Sequence, residues 1–269
     1  MNKNAFRDKR HENICNLKSD YQHSKVKQFA DVVVLEKCPD TISKIVSNIL
    51  TSNIYNKYYK LGQTIDRISF QIIFTLAIIQ NKYPTFVHND FFLRNILGID
   101  INEYDDDEYV EYKFKKNTFY FPANGFYVKN NDFGYTLAKS KMVSTQLLFI
   151  NNRPDSMPKI DCNKCDIFNF FHDFYDGQNL GAKSVMKLMK RKHDKNKKYI
   201  RNIFKKYIDV AMIDKINKIN RNKLNRTWAI KNIDLLKKTV NTPAHYLNSN
   251  IFNKYRKLPK NGVIIQVFG

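Results

Sequence analysis

The sequence is poor in the residues that disulfide scaffolds and membrane helices require. Its 269 residues include only 4 cysteines, too few for a disulfide framework in a chain of this length, which favours a reduced setting. No apolar run approaches the roughly 20 residues that span a bilayer, and residues 1–12 lack the apolar core of a signal peptide. We therefore expect an intracellular, soluble protein without a membrane span.

Cys162 and Cys165 form a C-x-x-C pair, but no second pair with metal-ligand spacing follows. One such pair is a weak indication of zinc or redox chemistry.

Acidic residues are also scarce, with 25 Asp and Glu against 46 Lys and Arg, a net charge of +21. This charge predicts attraction to nucleic acid, acidic proteins or anionic membranes. A coding bias toward Lys, Asn, Ile, Tyr and Phe explains it equally well.

The 43% hydrophobic content is enough for a core, and its spacing predicts an α+β chain that is mainly helical. Residues 32–35 are β-branched and read as a strand. Thr41 is placed to cap a helix over 42–50, and a longer, largely buried helix is predicted from Thr64 to about residue 81.

Further strands are predicted at 96–99, 110–114, 118–121 and 126–128, with an edge strand at 263–268. A Lys-Lys-Asn turn between the second and third of these predicts a hairpin. Residues 105–108, an acidic cluster, are more typical of a solvated loop than of a cation site.

Two short polar motifs carry the candidate chemistry. Asp90 and Asn95 stand five residues apart, with His88 two residues before the aspartate, and an Asp-Phe-Gly tripeptide begins at Asp132. Phosphoryl transfer needs a carboxylate that orients the acceptor hydroxyl and oxygen ligands that hold Mg²⁺ on the phosphates.

In this order the motifs H-x-D-x-x-x-x-N and D-F-G resemble the catalytic core of the protein-kinase superfamily. With the hairpin between them, they are similar to the Ser/Thr protein kinase-like proteins of large nucleocytoplasmic DNA viruses. The resemblance implies ATP and Mg²⁺ as cofactors and a protein substrate. It also implies Asp90 as catalytic base, with Asn95 and Asp132 as metal ligands.

The same resemblance implies roles for residues around these three. The nucleotide-binding positions would be Leu35, Glu36, Cys38 and Leu97. His88, Phe133, Gly134 and Asp166 would be structural, with Asp166 at the start of a buried helix and bonded to the catalytic-loop backbone. Lys139 or Lys141 would assist at the phosphates.

The resemblance covers the hinge and large lobe, and the small lobe is truncated or absent. Residues 1–30 are expected to be a basic arm or a small-lobe remnant, and 31–269 the hinge and large lobe with a hairpin insert at about 100–128. No G-x-G-x-x-G and no strand Lys paired with a helix Glu are found. Phe92 stands where many Ser/Thr kinases carry a Lys.

Two functions therefore stay open, with the chain located in the cytoplasm, the host cytoplasm or a virion. The first is an ATP- and Mg²⁺-dependent transferase of the γ-phosphate to protein Ser/Thr, with a small lobe that is reduced, or supplied by a second chain. The second is a pseudokinase scaffold that binds nucleotide, nucleic acid or an acidic partner. A fragmentary reading frame and small-molecule phosphotransfer are further alternatives.

Overall fold

A computed structural model describes residues 40–88, 90–131, 136–138, 142–143, 164–176, 184–189, 194–219 and 238–269. All of these residues belong to one compact unit, Cys38–Gly269. Within them the chain combines helices with small sheets, so the predicted mixture of α and β structure is confirmed.

The helices and strands follow one another in a fixed order along the chain. They are β1 (Asp40–Thr41), α1 (Ile42–Thr51), α2 (Lys57–Lys82), β2 (Ile96–Ile101), β3 (Glu108–Phe114), β4 (Asn117–Pro122), β5 (Gly125–Asn130), β6 (Leu137–Ala138), β7 (Met142–Val143), α3 (Cys165–Asp176), α4 (Val185–Leu188), α5 (Asp194–Phe204), α6 (Val210–Ile219), α7 (Pro243–Asn248) and β8 (Val263–Phe268). Two 3₁₀ helices, Leu93–Asn95 and Asn250–Tyr255, also lie in the described ranges.

Helix α1 begins as the sequence predicted. The Thr41 hydroxyl accepts a hydrogen bond from the Lys44 backbone N–H at 3.4 Å, which caps the first turn. The apolar residues recur every three or four positions and are all buried: Ile42, Ile45, Val46, Ile49 and Leu50. This face packs on β2, where Gly98 has no side chain to collide with Ile45.

The start predicted for helix α2 was wrong. The helix begins at Lys57, after Asn56 in a left-handed conformation (φ 62°), rather than at Thr64. The Thr64 hydroxyl donates to the Lys60 carbonyl at 2.9 Å, the pattern of a residue inside a helix rather than of a cap. From Leu61 onward α2 is buried on most sides, as its apolar residues predicted.

Two three-stranded sheets flank α2 in the described part of the chain. In the first, β2 lies between β1 and β5 and is antiparallel to both. In the second, β3 lies between β4 and β8; β3 and β4 form the predicted antiparallel hairpin, and β8 is the predicted edge strand, parallel to β3. A short β6–β7 ladder is separate.

An aromatic cluster joins α2 to the second sheet. The Phe70 ring lies 4.2 Å from that of Phe121 and 5.1 Å from those of Tyr112 and Phe252, measured between ring centroids. All four side chains are buried. Offset and edge-on aromatic pairs of this kind contribute beyond the area they bury. The cluster therefore fixes α2, from which the chain enters the loop at residues 88–95.

Candidate functional site

The loop at residues 88–95 holds Asp90 and Asn95 in direct contact. The Asn95 amide nitrogen donates to the Asp90 backbone carbonyl and to its carboxylate Oδ2, both at 2.8 Å. Both partners are acceptors, so the NH₂ end of the amide must face them. The amide oxygen of Asn95 is consequently turned away from Asp90, and it is the type of ligand that Mg²⁺ prefers.

Arg94 contacts the other carboxylate oxygen of Asp90. Its guanidinium nitrogen lies 2.5 Å from Asp90 Oδ1, and its Cζ lies 4.9 Å from the centroid of the Phe92 ring. Asp90 is buried, while the Arg94 side chain remains 40% exposed. A cation is thus held beside Asp90 by the side chain four residues later in the chain. Sequence reasoning did not single out Arg94, and its position four residues after Asp90 was the available signal.

Two buried carboxylates of helix α3 hold the backbone of this loop. Asp166 accepts a hydrogen bond from the His88 N–H at 2.7 Å, and Asp173 accepts one from the Leu93 N–H at 2.9 Å. A spacing of seven residues is two helical turns, so both side chains lie on one face. The sequence analysis named Asp166 and missed Asp173, which the seven-residue spacing within the same apolar helix could have indicated.

His88 and Asn131 connect the loop to the end of strand β5. The Nε2 atom of His88 lies 3.2 Å from the Asn131 carbonyl, so this nitrogen carries the proton. The Asn131 N–H in turn donates to the Asn95 carbonyl at 2.9 Å. His88 is buried with its ring edge-on to Phe91. The residue before Asp132 is thereby fixed against the loop that carries Asp90 and Asn95.

Helix α2 holds the other end of β5 through two polar side chains. The Gln71 amide donates to the Phe126 carbonyl at 2.7 Å and accepts from the Val128 N–H at 2.8 Å. Arg67 donates to the Phe126 and Asn124 carbonyls, at 3.0 and 2.6 Å. Burial lowers the pKa of Arg67, and neighbouring tyrosines partly oppose this shift. Sequence reasoning did not identify these positioning contacts.

Several predicted site residues lie outside the described residues: Leu35, Glu36, Cys38, Asp132, Phe133, Gly134, Lys139 and Lys141. The convergence of Asp132 with Asp90 therefore stays a prediction. Leu97 is described; it lies half-buried in β2 and pairs with Lys129 of β5.

The acidic cluster forms an exposed turn in which Glu108 accepts from the Asp105 N–H. Within the described ranges, no group of three or more His, Cys, Asp or Glu side chains is placed to hold a metal ion. An open pocket of about 260 Å³ near Ala77 and Lys115 shares no residue with the loop. None of the described helices is both long and apolar enough to cross a membrane.

Two known proteins are similar to this chain in sequence. A protein of Acanthamoeba polyphaga mimivirus named "Putative serine/threonine-protein kinase" is 35% identical over 265 residues, 95% of this chain and 64% of that relative. A second mimivirus protein with the same description is 29% identical over 119 residues, 43% of this chain and 24% of its own length. No family model and no solved structure matches the chain.

The chain is thus related to kinase-like proteins of a giant virus, and the resemblance predicted from its two motifs is confirmed. It spans less than two thirds of the length of either relative.

Proposed function

We propose that the chain is the hinge and large lobe of a protein kinase-like phosphotransferase that moves the γ-phosphate of ATP to Ser or Thr of a protein. In this proposal Asp90 orients the acceptor hydroxyl, and Asn95 and Asp132 hold Mg²⁺. The observation that carries the proposal is the Asp90–Asn95 contact within a loop whose backbone is held by Asp166 and Asp173. The mimivirus relative described as a Ser/Thr kinase supports the same class.

The polar groups present fit a magnesium nucleotide. The Asn95 amide oxygen is directed away from Asp90, and Asp132 follows a strand end tied to Asn95 through Asn131. When bound, Mg²⁺ neutralises charge on the phosphates and orients them. In the described loop, the predicted ligand position is occupied by Asn95, whose amide oxygen is a ligand type that Mg²⁺ accepts.

The residues of the loop would act on the acceptor hydroxyl in a defined way. The Asp90 carboxylate contacts Arg94 through Oδ1 and Asn95 through Oδ2, which fixes its orientation in the loop. Asp90 would orient that hydroxyl and receive its proton as the phosphoryl group is transferred. Arg94 would keep the carboxylate in one position and supply positive charge near the transferred group.

The phosphate clamp is proposed to come from outside residues 31–269. The sequence has no G-x-G-x-x-G and no recognisable strand Lys paired with a helix Glu, and these groups normally position the phosphates. A second chain, or the part of a longer protein that corresponds to the rest of the mimivirus relative, would supply it.

A pseudokinase that binds nucleotide without transferring phosphate is the second candidate. The missing clamp favours it, because this chemistry consists mainly of positioning and charge stabilisation. The retained Asp90, Asn95 and Asp132 favour the enzyme.

Transfer of radiolabel from ATP to a generic protein acceptor tests the proposal. Asp90→Ala and Asp132→Ala are each expected to lower transfer by roughly 10³-fold, as for loss of a general base or a charge-stabilising group. Asp100→Ala, which removes an exposed carboxylate from β2, is the matched control and should transfer normally.

Thermal shift with ATP, in the presence and absence of Mg²⁺, separates the two candidates. If the chain is an enzyme, ATP should raise its melting temperature only when Mg²⁺ is present. Asp132→Ala should abolish both this shift and phosphate transfer. A shift without transfer supports the pseudokinase. Equal label in wild type and both alanine variants contradicts the assignment of these residues.

A further inference from the structure

Exposed aromatic side chains gather at the beginning of helix α2 and on helix α5. Tyr55, Tyr59 and Tyr199 are 90%, 61% and 41% exposed. Leaving large ring faces in water is unfavourable for folding alone, because burying them would stabilise the chain. Three such rings on neighbouring elements therefore indicate a binding surface.

Gly62 brings these two helices together. A Cβ atom placed on Gly62 would lie 3.0 Å from the Tyr199 hydroxyl oxygen and would overlap Ile203, so α5 crosses α2 where α2 has no side chain. Tyr59 is three residues before Gly62, which is nearly one helical turn. Burial, followed by the charges of Asp66 and Tyr59, raises the pKa of Tyr199, which also indicates that Tyr59 is near.

Exposed lysines border the tyrosines. Lys195 lies one helical turn before Tyr199 on the same face of α5, while Lys60 and Lys198 are exposed sequence neighbours of Tyr59 and Tyr199 on the adjacent face of each helix. Neither residues 52–65 nor residues 195–206 contain an Asp or Glu. Lys206 is bound to the buried Asp66 and is not part of this surface. We call the six residues Tyr55, Tyr59, Lys60, Lys195, Lys198 and Tyr199 the Tyr-Lys surface.

We propose that the Tyr-Lys surface binds single-stranded nucleic acid, with bases stacked on the tyrosines and phosphates paired with the lysines. Interleaved rings and cations are what a single strand requires, since every base has a π-face and every linkage a negative charge. Base stacking uses the flat tyrosine rings as well as the lysines, and an acidic peptide and an anionic membrane are the competing ligands in the test. The surface shares no residue with the loop at 88–95, so the inference is independent of the proposed phosphotransfer.

Fluorescence anisotropy with labelled 20-residue oligo(U) and oligo(dT) tests this on the full chain. The double variant Tyr59→Ala/Tyr199→Ala is expected to weaken binding at least about tenfold, because each stacked base contributes appreciably. Tyr59→Phe/Tyr199→Phe keeps both rings and should restore most of the affinity. A thermal melt of each variant establishes that it is folded. Tighter binding of one oligonucleotide identifies RNA or DNA as the strand.

A charge variant with a matched control tests the lysines. Lys60→Gln/Lys195→Gln/Lys198→Gln is expected to lower the slope of log affinity against log salt by about 2, since each single-strand phosphate contact contributes about 0.7. Lys113→Gln/Lys115→Gln/Lys116→Gln removes the same charge from the β3–β4 hairpin. That hairpin adjoins the opposite end of α2, where Lys115 lines a pocket with Ala77 and Gln80.

Three results would overturn the proposal. One is equal loss of affinity in the control triple variant, which would indicate attraction to net charge alone. Another is a duplex of equal length, a poly-glutamate peptide or a phosphatidylserine vesicle binding as tightly as the single strands. The third is undiminished binding by the folded Tyr59→Ala/Tyr199→Ala variant.

Discussion

Asp66 and Asp90 are both buried aspartates in contact with cations, yet their partners come from different parts of the chain. Asp66 accepts hydrogen bonds from Lys206 at 3.1 Å, from Lys254 at 3.0 Å and from the Tyr207 hydroxyl at 2.7 Å. These residues lie at least 140 positions later in the sequence. Asp90 instead contacts Arg94 and Asn95, within five residues of itself.

The comparison shows that burial and ion pairing do not by themselves distinguish a structural carboxylate from a candidate catalytic one. Asp66 connects α2 to two distant segments, so its contacts contribute to the stability of the fold. The backbone of the Asp90 loop is held separately by Asp166 and Asp173. Replacing the Asp90 carboxylate therefore leaves these two anchors of the loop in place.

The largest stability difference is expected between Asp66→Asn and Asp90→Asn. Asp66→Asn should lower the free energy of unfolding by about 2 to 3 kcal/mol, because it removes the charge to which the buried Tyr207 hydroxyl and two partly exposed lysines donate. Asp90→Asn should cost less, about 1 kcal/mol, since its contacts to Arg94 and Asn95 lie within its own loop. Urea unfolding measures both, with exposed Asp100→Asn as the control. Equal costs at positions 66 and 90 would remove the distinction.

A smaller loss is expected where the Asp90 loop is anchored. Asp173→Ala leaves the Leu93 N–H buried without its acceptor, which should cost about 2 kcal/mol. Amide hydrogen exchange at Leu93 should accelerate, and phosphotransfer should fall although Asp90 is intact. Asp176→Ala, at the end of the same helix, serves as the matched variant. Unchanged exchange at Leu93 would show that Asp173 does not hold the loop.

Alkaline pH should lower the free energy of unfolding through two buried tyrosines, Tyr246 and the Asp66 partner Tyr207. Burial raises the pKa of Tyr246 to about 12, partly opposed by a hydrogen bond from the Asn241 backbone. An unfolded tyrosine titrates near 10, so the unfolded chain loses its proton first and stability falls as pH rises from about 10 to 12. The loss at pH 12 is about 2 kcal/mol.

Burial and Asp66 raise the pKa of Tyr207 as well, so it adds to this loss in the same direction. Urea unfolding at a series of pH values between 9 and 12 measures the effect. Tyr246→Phe should give a shallower decline than wild type. A decline as steep in Tyr246→Phe as in wild type would exclude Tyr246 as a source.

The smallest stability effect is expected at Arg94. Its side chain is 40% exposed, so its ion pair with Asp90 should contribute less than about 1 kcal/mol. Arg94→Gln should therefore leave urea unfolding nearly unchanged while lowering phosphotransfer, and Arg94→Lys should recover part of the transfer. Normal transfer by a folded Arg94→Gln variant would contradict a role for the cation beside Asp90.

Local patterns in the sequence predicted much of the fold. The Thr41 cap, the β3–β4 hairpin and the β8 edge strand all form where spacing and turn residues indicated them. The cap and the hairpin depend on neighbours only a few residues away, whereas β8 forms a strand locally but finds its partner, β3, far earlier in the chain. The start of α2 at Lys57 was not predicted, because residues 57–60 carry no apolar periodicity. The helix begins there directly after Asn56, whose backbone is left-handed.

The contacts that position the candidate site were harder to predict. Asp173, Gln71 and Arg67 each bond to backbone atoms more than 50 positions away. A polar residue within an apolar helix shows in sequence only that it needs a partner. Which backbone group it meets depends on how α2 and α3 pack against the loop and β5.

The sequence by itself determined the chemistry available to this protein: a carboxylate and an amide five residues apart, a second aspartate before Phe-Gly, and a surplus of lysine. Those identities follow from residue order alone. Tertiary structure decided that Asp166 and Asp173 hold the loop, that Asp66 joins distant segments, and that Tyr199 of α5 lies against Gly62 of α2. Each of these pairings requires the helices to pack first, because their partners are far apart along the chain.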